Sequence, residues 1–352
     1  MMQGKRIAVA MSGGVDSSAA ALLLQRQGYD LMGATMHLLP SQESDITDAK
    51  SSCDRLGIPH TVYDFSNEFE RLVIRPFIAV YEAGGTPNPC IVCNRFMKFG
   101  VLLDAVLKDG CEALATGHYA RIEKDGSGRY LLKTAADPRK DQSYVLWQLT
   151  QHQLAHTLFP LGEYTKADIR DMAEAQGLIT AHKSDSQDIC FVPDGDYAAF
   201  IERYTGHPAT PGEFVDESGC VLGPNKGIIH YTIGQRKGLG IALGQPMFVK
   251  SKDAVTGRVV LSLNDRLFTR EIEVEGLNLI ACDRLDGDLR AEVKIRYQQT
   301  ASPATIRQLD EGRARIIFDQ PQRAVAAGQS AVFYDGDTVI GGGFIASDKI
   351  SL

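Results

Sequence analysis

The sequence predicts an α/β protein: an N-terminal doubly wound parallel sheet, a small β-rich central domain and a C-terminal β-barrel. Strand and helix patterns alternate through the first 116 residues, and glycine-rich, β-like runs follow residue 205. Regular alternation of apolar and polar residues begins at Thr269. Alternating strands and helices imply right-handed crossovers and a ligand crevice at the carboxyl ends of the strands. We place the domains at 1–204, 205–266 and 267–352.

The individual elements follow from local patterns. Strands are predicted over 6–11, 30–39, 60–65 and 113–116, and helices over 16–26, 46–56, 68–82 and 96–108. After a turn-rich segment at 206–213, short β runs broken by glycine continue to about residue 263. Five or six alternating strands with a turn at Asp335–Gly336 then predict a compact barrel or sandwich.

Composition limits the function classes. The chain has 352 residues, 44% of them hydrophobic, which suits two or three packed domains. Its net charge of −7 does not indicate a nucleic-acid binder. No apolar stretch could span a bilayer and no signal peptide precedes the first strand, so we expect a cytoplasmic protein without a membrane partner. Seven irregularly spaced cysteines argue against a secreted disulfide scaffold.

The segment Ser12–Ser17, SGGVDS, joins the first strand to the first helix. Two glycines allow positive φ and close approach to a ligand, and the helix N-terminus attracts anions. An ordinary strand–turn–helix joint capped by Asp16 or Ser17 is the alternative. The motif resembles the pyrophosphatase-type loop of enzymes that cleave ATP between the α and β phosphates. The predicted nucleotide-binding residues are Ala10, Met11, Ser12, Gly13, Gly14, Val15, Asp16 and Ser17, with Met36 and Gly117 at neighbouring strand ends.

Two segments carry candidate reactive thiols. Prolines on both sides of Asn88 stiffen the backbone before Cys90-Ile-Val-Cys93, and such a C-x-x-C pair is half of a zinc site, a redox dithiol or two ligands of an iron–sulfur cluster. Cys190 ends the polar run SDSQDIC at 184–190, which favours an exposed nucleophile over a buried structural thiol. We expect the other four cysteines to be structural.

With these three motifs, the chain resembles the tRNA 2-thiouridine synthases, or tRNA-specific 2-thiouridylases. The likeness spans essentially the whole chain and includes ATGHYAR at 115–121, KDQSYVLW at 140–147, HYTIGQRKGLGI at 230–241 and GQSAVFYDGD at 328–337. It implies a PP-loop nucleotide-binding domain of the adenine nucleotide α-hydrolase type, with ATP and Mg²⁺, and a barrel that contacts tRNA.

The resemblance also implies residue roles. ATP adenylates the C2 oxygen of the wobble uridine, Cys190 carries a persulfide from a sulfur-relay protein or cysteine desulfurase, and Cys93 then forms a disulfide with Cys190. The implied tRNA contacts are Asn88, Pro89, Cys90, His118, Lys140, Asp141, Gln142, Arg296, Tyr297 and Gln329. The further clusters Arg236–Lys237, Lys294–Arg296 and Arg313–Arg315 are candidate phosphate contacts.

One position departs from the family pattern. Many members have Asp where this chain has Cys90, and a thiol replaces that base only if its pKa is lowered. Cys90, Cys93 and Cys190 together resemble the ligands of related tRNA thiolases that hold a [4Fe-4S] cluster, so this mechanism stays open. Two other classes also stay open: an adenylating ligase acting on a small molecule, and a non-catalytic RNA-binding protein.

Overall fold

The computed structural model describes residues 5–175 and 189–347, and it confirms the predicted fold class. Ser184–Asp188, part of the run before Cys190, lie outside the described residues. The elements of the first 205 residues are β1 Arg6–Ala10, α1 Val15–Arg26, β2 Asp30–His37, α2 Glu43–Leu56, β3 His60–Asp64, α3 Ser66–Phe69, α4 Arg75–Glu82, α5 Pro89–Val92, α6 Leu103–Lys108, β4 Ala113–Ala115, β5 Arg121–Lys124, β6 Tyr130–Lys133, α7 Gln151–Ala155, β7 Thr157–Leu158, α8 Lys166–Ala175 and α9 Tyr197–Thr205.

Five strands form the parallel sheet, in the order β3-β2-β1-β4-β7. The chain moves outward from β1 to β3 and then returns to the other side of β1 with β4. Strand order therefore reverses between β1 and β4, which is where a doubly wound sheet opens a crevice at its carboxyl edge. Ile7, Ala8 and Val9 are completely buried, as expected for a strand covered on both faces.

The helix predicted to begin at residue 96 instead begins at Pro89. Asn88 is its N-cap and accepts a hydrogen bond from the Cys90 N–H at 3.1 Å, while proline suits the first helical position because it lacks an N–H. The helix continues through a π-helical segment, Cys93–Leu102, into α6. A second π-helical segment, Glu70–Ile74, joins α3 to α4. The C-x-x-C motif therefore lies within a helix and not in a loop before it.

The central domain is a four-stranded sheet of order β10-β11-β8-β9. Its strands are β8 Gly212–Val215, β9 Val221–Asn225, β10 Phe248–Lys252 and β11 Val259–Ser262. Phe214, Val249 and Leu261 are fully buried in its own small core.

Six further strands close into a barrel, which decides between the predicted barrel and sandwich. They are β12 Phe268–Leu279, β13 Asp288–Lys294, β14 Ser302–Gln308, β15 Arg313–Arg323, β16 Ser330–Asp335 and β17 Thr338–Ile345. β12 pairs with both β15 and β17, which closes the ring. The hairpin β5–β6 leaves the N-terminal part and pairs with β17 through Leu132 and Lys133, a connection that the sequence analysis did not predict.

Candidate functional site

The segment Ser12–Ser17 lies at the strand-order reversal. Gly13 has φ +71°, and a Cβ there would lie 2.6 Å from the carbonyl oxygen of Asp45, so the turn requires glycine. Gly14 is the N-cap of α1, and no side chain among the described residues makes the capping hydrogen bond. The loop therefore presents an uncapped helix N-terminus, which fits a phosphate.

The neighbouring strand ends contribute differently. A Cβ on Gly117 would lie 2.8 Å from the carbonyl carbon of Asp16, so glycine allows the end of β4 to lie directly against the start of α1. Met36, at the end of β2, is half-buried and packs against two hydrophobic clusters. Met36 therefore has a packing role whether or not it contacts a nucleotide.

Asp16 is held by two residues that the sequence analysis missed. Lys166, in the first turn of α8, donates to both carboxylate oxygens at 2.7 and 2.8 Å, and the Tyr119 hydroxyl donates at 2.9 Å. The Lys166 side chain is only 8% exposed, against 31% for Asp16. A buried cation thus lies at the edge of the phosphate loop, although the motif itself contains no lysine.

The second part of the site carries the thiols. Cys90 and Cys93 lie on the first turns of the helix that begins at Pro89, and Cys93 packs against a hydrophobic cluster that also includes Ile189 and Phe191. Phe191 makes edge-on contacts with the rings of Phe69 and Phe77 at 5.7 and 5.2 Å. Phe191, the residue after Cys190, is therefore held in the same hydrophobic cluster as Cys93.

Burial raises the pKa of all three thiols, to about 12 for Cys93. Cys90 and Cys190 are partly accessible to solvent, yet the surrounding protein still disfavours their thiolates. The charge of Lys98 acts in the opposite direction on each of them. Lys98 therefore belongs to the thiol site, and the sequence analysis missed it although it lies only five residues after Cys93.

The three thiols are also the candidate cluster ligands. Within residues 5–175 and 189–347, no group of three or more His, Cys, Asp or Glu side chains is placed to hold a single metal ion. The [4Fe-4S] alternative, with Cys90, Cys93 and Cys190 as its ligands, stays a prediction. A raised pKa contradicts the condition under which Cys90 would replace a carboxylate base.

Several implied tRNA contacts have partners within the chain. The His118 ring is buried 5.8 Å from the rings of both Phe99 and Phe159, its Nδ1 lies 2.6 Å from the Thr116 hydroxyl, and burial holds its pKa well below the usual range. Asp141 accepts from Ala135 N and Ser143 N at 3.1 Å, and Gln142 accepts from Tyr119 N at 2.9 Å. Lys140 precedes them in the same turn.

The barrel contributes three of the implied contacts. Arg296 donates to the Ala324 carbonyl at 2.5 Å, and Gln329 donates to the Thr86 carbonyl at 2.7 Å. Tyr297 is 40% exposed, and its pKa is raised by burial and by the charges of Asp141 and Cys90. This coupling places Tyr297 beside the thiol site.

The candidate phosphate-binding clusters differ in whether carboxylates already pair with their basic side chains. Arg313 pairs with Asp310 at 2.7 Å and Arg315 with Glu273 at 2.9 Å, so carboxylates already neutralise both. Arg236 and Lys237 are exposed and form no ion pair among the described residues. No helix in the described part of the chain is long and apolar enough to cross a membrane.

A parallel sheet with SGGVDS at its strand-order reversal defines a nucleotide-binding protein of the PP-loop type. Three family models match: a tRNA methyl transferase HUP domain over 5–194, a tRNA methyl transferase PRC-barrel domain over 198–263 and an aminomethyltransferase beta-barrel domain over 269–345.

Full-length relatives narrow this class. The protein from Acetivibrio thermocellus is 48% identical over 98% of this chain and 100% of its own length, and that from Clostridioides difficile 46% identical over 98% and 99%. The protein from Treponema denticola is 46% identical over 97% and 98%. All three are named tRNA-specific 2-thiouridylase MnmA. The chain belongs to the tRNA-specific 2-thiouridylase family.

Proposed function

We propose that this chain is a tRNA-uridine 2-sulfurtransferase that uses ATP to replace the C2 oxygen of the wobble uridine, position 34, by sulfur. The observation that carries the proposal is that one domain holds both a phosphate loop and three thiols, Cys90, Cys93 and Cys190, whose pKa values the charge of Lys98 lowers. The family models are described as methyl transferase domains, but methyl transfer requires neither feature. The names of the full-length relatives agree with thiolation.

The first step activates the base. The uridine C2 oxygen attacks the α-phosphorus of ATP, the bond from that phosphorus to the bridging oxygen breaks, and pyrophosphate leaves. The first-turn N–H groups of α1 and the ammonium of Lys166 stabilise the phosphate charge. Mg²⁺ bound with the nucleotide would supply further neutralisation of the phosphate charge.

The second step transfers sulfur. A protein persulfide donor, either a sulfur-relay protein or a cysteine desulfurase, loads Cys190 with a terminal sulfur. That sulfur attacks C2 and AMP leaves with the former C2 oxygen. Burial raises the pKa of Cys93, so its thiol must first give up its proton to solvent. It then attacks the Cys190 Sγ as a thiolate, the bond to the transferred sulfur breaks, and a Cys93–Cys190 disulfide forms. The two thiols supply the two electrons that reduce the transferred sulfur, and an external dithiol then reduces the disulfide.

Cys90 has a different part in this scheme. Because burial raises its pKa, its thiol remains protonated near neutral pH and does not serve as a general base. We assign Cys90, with Asn88 and Pro89, to contact with the target base. The base must leave the anticodon stack to reach them.

The test measures both steps with tRNA that lacks 2-thiouridine. Purified protein receives this tRNA, ATP, Mg²⁺ and a cysteine desulfurase with cysteine. We expect tRNA-dependent pyrophosphate release and 2-thiouridine, detected by retardation on a mercury-containing gel. Cys190→Ser and Cys93→Ser should lose thiolation and retain pyrophosphate release.

Cys220→Ser is the matched control, because Cys220 is an exposed thiol on the central domain, and it should behave as the parent. Pyrophosphate release that does not need tRNA would instead favour a ligase acting on a small molecule. Absence of any ATP turnover would favour a non-catalytic RNA-binding protein.

The iron–sulfur version of the reaction has its own test. Iron and acid-labile sulfide are measured after anaerobic purification of the parent and of Cys90→Ala. The persulfide scheme predicts neither in either protein. Near-stoichiometric iron in the parent that is lost in Cys90→Ala would overturn the persulfide scheme.

A further inference from the structure

The loop at 84–88 leads directly into the helix that carries Cys90 and Cys93, and all three domains contact it. From the barrel, Ala327 O accepts the Thr86 N–H at 2.8 Å, and Gln329 Nε2 donates to Thr86 O at 2.7 Å. From the central domain, Lys252 Nζ donates to Gly85 O at 3.3 Å. The barrel and the central domain thus both hold the backbone just before the thiols.

Lys252 makes this contact from a mostly buried position. Its Nζ also donates to Tyr231 O at 2.8 Å, and its ammonium lies 5.8 Å from the centre of the Tyr81 ring. Burial lowers the pKa of Lys252 to about 8. No carboxylate in the described part of the chain pairs with Lys252, and burying an ammonium group in this way is unfavourable for stability, so its position requires another explanation.

The barrel side of the loop is packed tightly. Gly328 has φ +83°, and a Cβ there would lie 2.8 Å from Val80 Cγ1 and 3.3 Å from Thr86 N. Only a residue without a side chain allows the two backbones to approach this closely. The barrel therefore fixes one face of the loop by direct contact.

The other face of the loop borders open space. A cavity of about 480 Å³ separates it from the central domain and the barrel, and its lining includes Pro87, Asn88, Pro89, Ile233 and Lys252. Packing on this side is confined to Gly84, where a Cβ would lie 3.3 Å from the Lys252 carbonyl oxygen. Among the described residues, the contact from Lys252 Nζ to Gly85 O is the hydrogen bond that joins the central domain to the loop across this junction.

We propose that Lys252 is a positioning residue for the thiolation reaction. Its ammonium donates hydrogen bonds to both Gly85 O and Tyr231 O. These bonds hold the loop so that Asn88, Pro89 and Cys90 are correctly placed against the target base. This inference rests on the proposed function for its chemistry. It gives the central domain a defined part in the reaction. Lys252 itself does not contact the reacting atoms.

The test compares Lys252→Met, which keeps a similar aliphatic stem and removes the donor, with Lys252→Arg. Lys250→Met is the matched control, because Lys250 lies on the same strand and pairs with Glu217 at 2.5 Å. We expect Lys252→Met to lower kcat for thiolation about tenfold, since small misplacements of reacting groups have effects of this size or larger. The KM for ATP should stay unchanged, and Lys252→Arg should recover most of the rate.

A second measurement separates positioning from general destabilisation. Hydrogen–deuterium exchange of residues 84–92 should become faster in Lys252→Met, while exchange of residues 19–24 in the core of α1 should match the parent. This readout works whether or not the protein thiolates tRNA, so it distinguishes failure of the inference from failure of the proposed function.

Two results would overturn the inference. The first is a Lys252→Met protein whose kcat and whose exchange at 84–92 match those of Lys250→Met. The second is an equal loss of activity in Lys252→Met and Lys252→Arg, with faster exchange in both segments, because this pattern indicates a purely structural role.

Discussion

The phosphate loop and the thiol site are built in different ways. The phosphate loop is contiguous, and one strand, one turn and one helix produce its shape at the edge of the sheet. The thiol site needs the helix that begins at Pro89, the distant segment around Phe191, and a loop that the central domain and the barrel hold. Local geometry therefore forms one site, and long-range packing assembles the other.

The two regions nevertheless have one feature in common, since a lysine outside the sequence motif acts on the charged or titratable groups of each. Lys166 forms an ion pair with Asp16 at the phosphate loop, and the charge of Lys98 opposes the rise in thiol pKa at the cysteines. If the two regions are independent, removing either lysine should affect one step and leave the other unchanged. The following predictions test that separation.

Replacing Lys166 should have the largest effect. Lys166→Met leaves the Asp16 carboxylate without its cation, close to where the triphosphate binds, so repulsion should raise the KM for ATP about tenfold or more. Pyrophosphate release at varied ATP measures this. Lys50→Met is the control, since Lys50 forms only an exposed ion pair with Asp54. An unchanged KM for ATP would contradict a role of Lys166 at the phosphates.

Much of the phosphate loop could be predicted from the sequence because its determinants are adjacent in the chain. Two glycines between an apolar strand and an apolar helix specify both the turn and the helix N-terminus. Lys166 could not be found in this way, because α8 contacts Asp16 only after the sheet has formed. A lysine in the first turn of an amphipathic helix has no local signal that separates it from a solvated one.

The thiol site was only partly predictable for the same reason. The C-x-x-C motif and Cys190 stand out as residue types, but their proximity depends on packing around Phe191. The helix was predicted to begin at residue 96, because the pattern of two prolines suggests a loop more strongly than a capped N-terminus at Asn88. For Gln329 the family resemblance implies a tRNA contact, which stays a prediction, and its bond to the backbone of Thr86 has no signal in the sequence.

Replacing Lys98 should have a smaller effect, confined to the thiols. Lys98→Met removes the charge that lowers their pKa, so alkylation by iodoacetamide at pH 8 should slow several-fold at Cys90, Cys93 and Cys190. Mass spectrometry of each peptide measures the rates without tRNA or ATP. Lys108→Met, exposed near the end of the same helix, should match the parent. A change in the KM for ATP in Lys98→Met would contradict the statement that the phosphate loop and the thiol site act independently.

The smallest expected effect concerns the junction that links the thiol site to the other domains. The pKa of Lys252 is about 8 in the folded protein, below its ordinary value of 10.5. Between these values the unfolded chain binds more protons than the folded one, so the contribution of Lys252 to the free energy of unfolding becomes more favourable as pH rises. The difference in melting temperature between the parent and Lys252→Met should therefore shift in favour of the parent from pH 8 to pH 10.

Lys250→Met should show no such shift relative to the parent over the same range. A pH-independent difference between the parent and Lys252→Met would mean that Lys252 is solvated in the folded protein. In that case the bond to Gly85 O would be too exposed to hold the loop. Only the barrel would then hold the loop that precedes the thiols. The thiol site would still differ from the phosphate loop in depending on another domain, but on the barrel and not on the central domain.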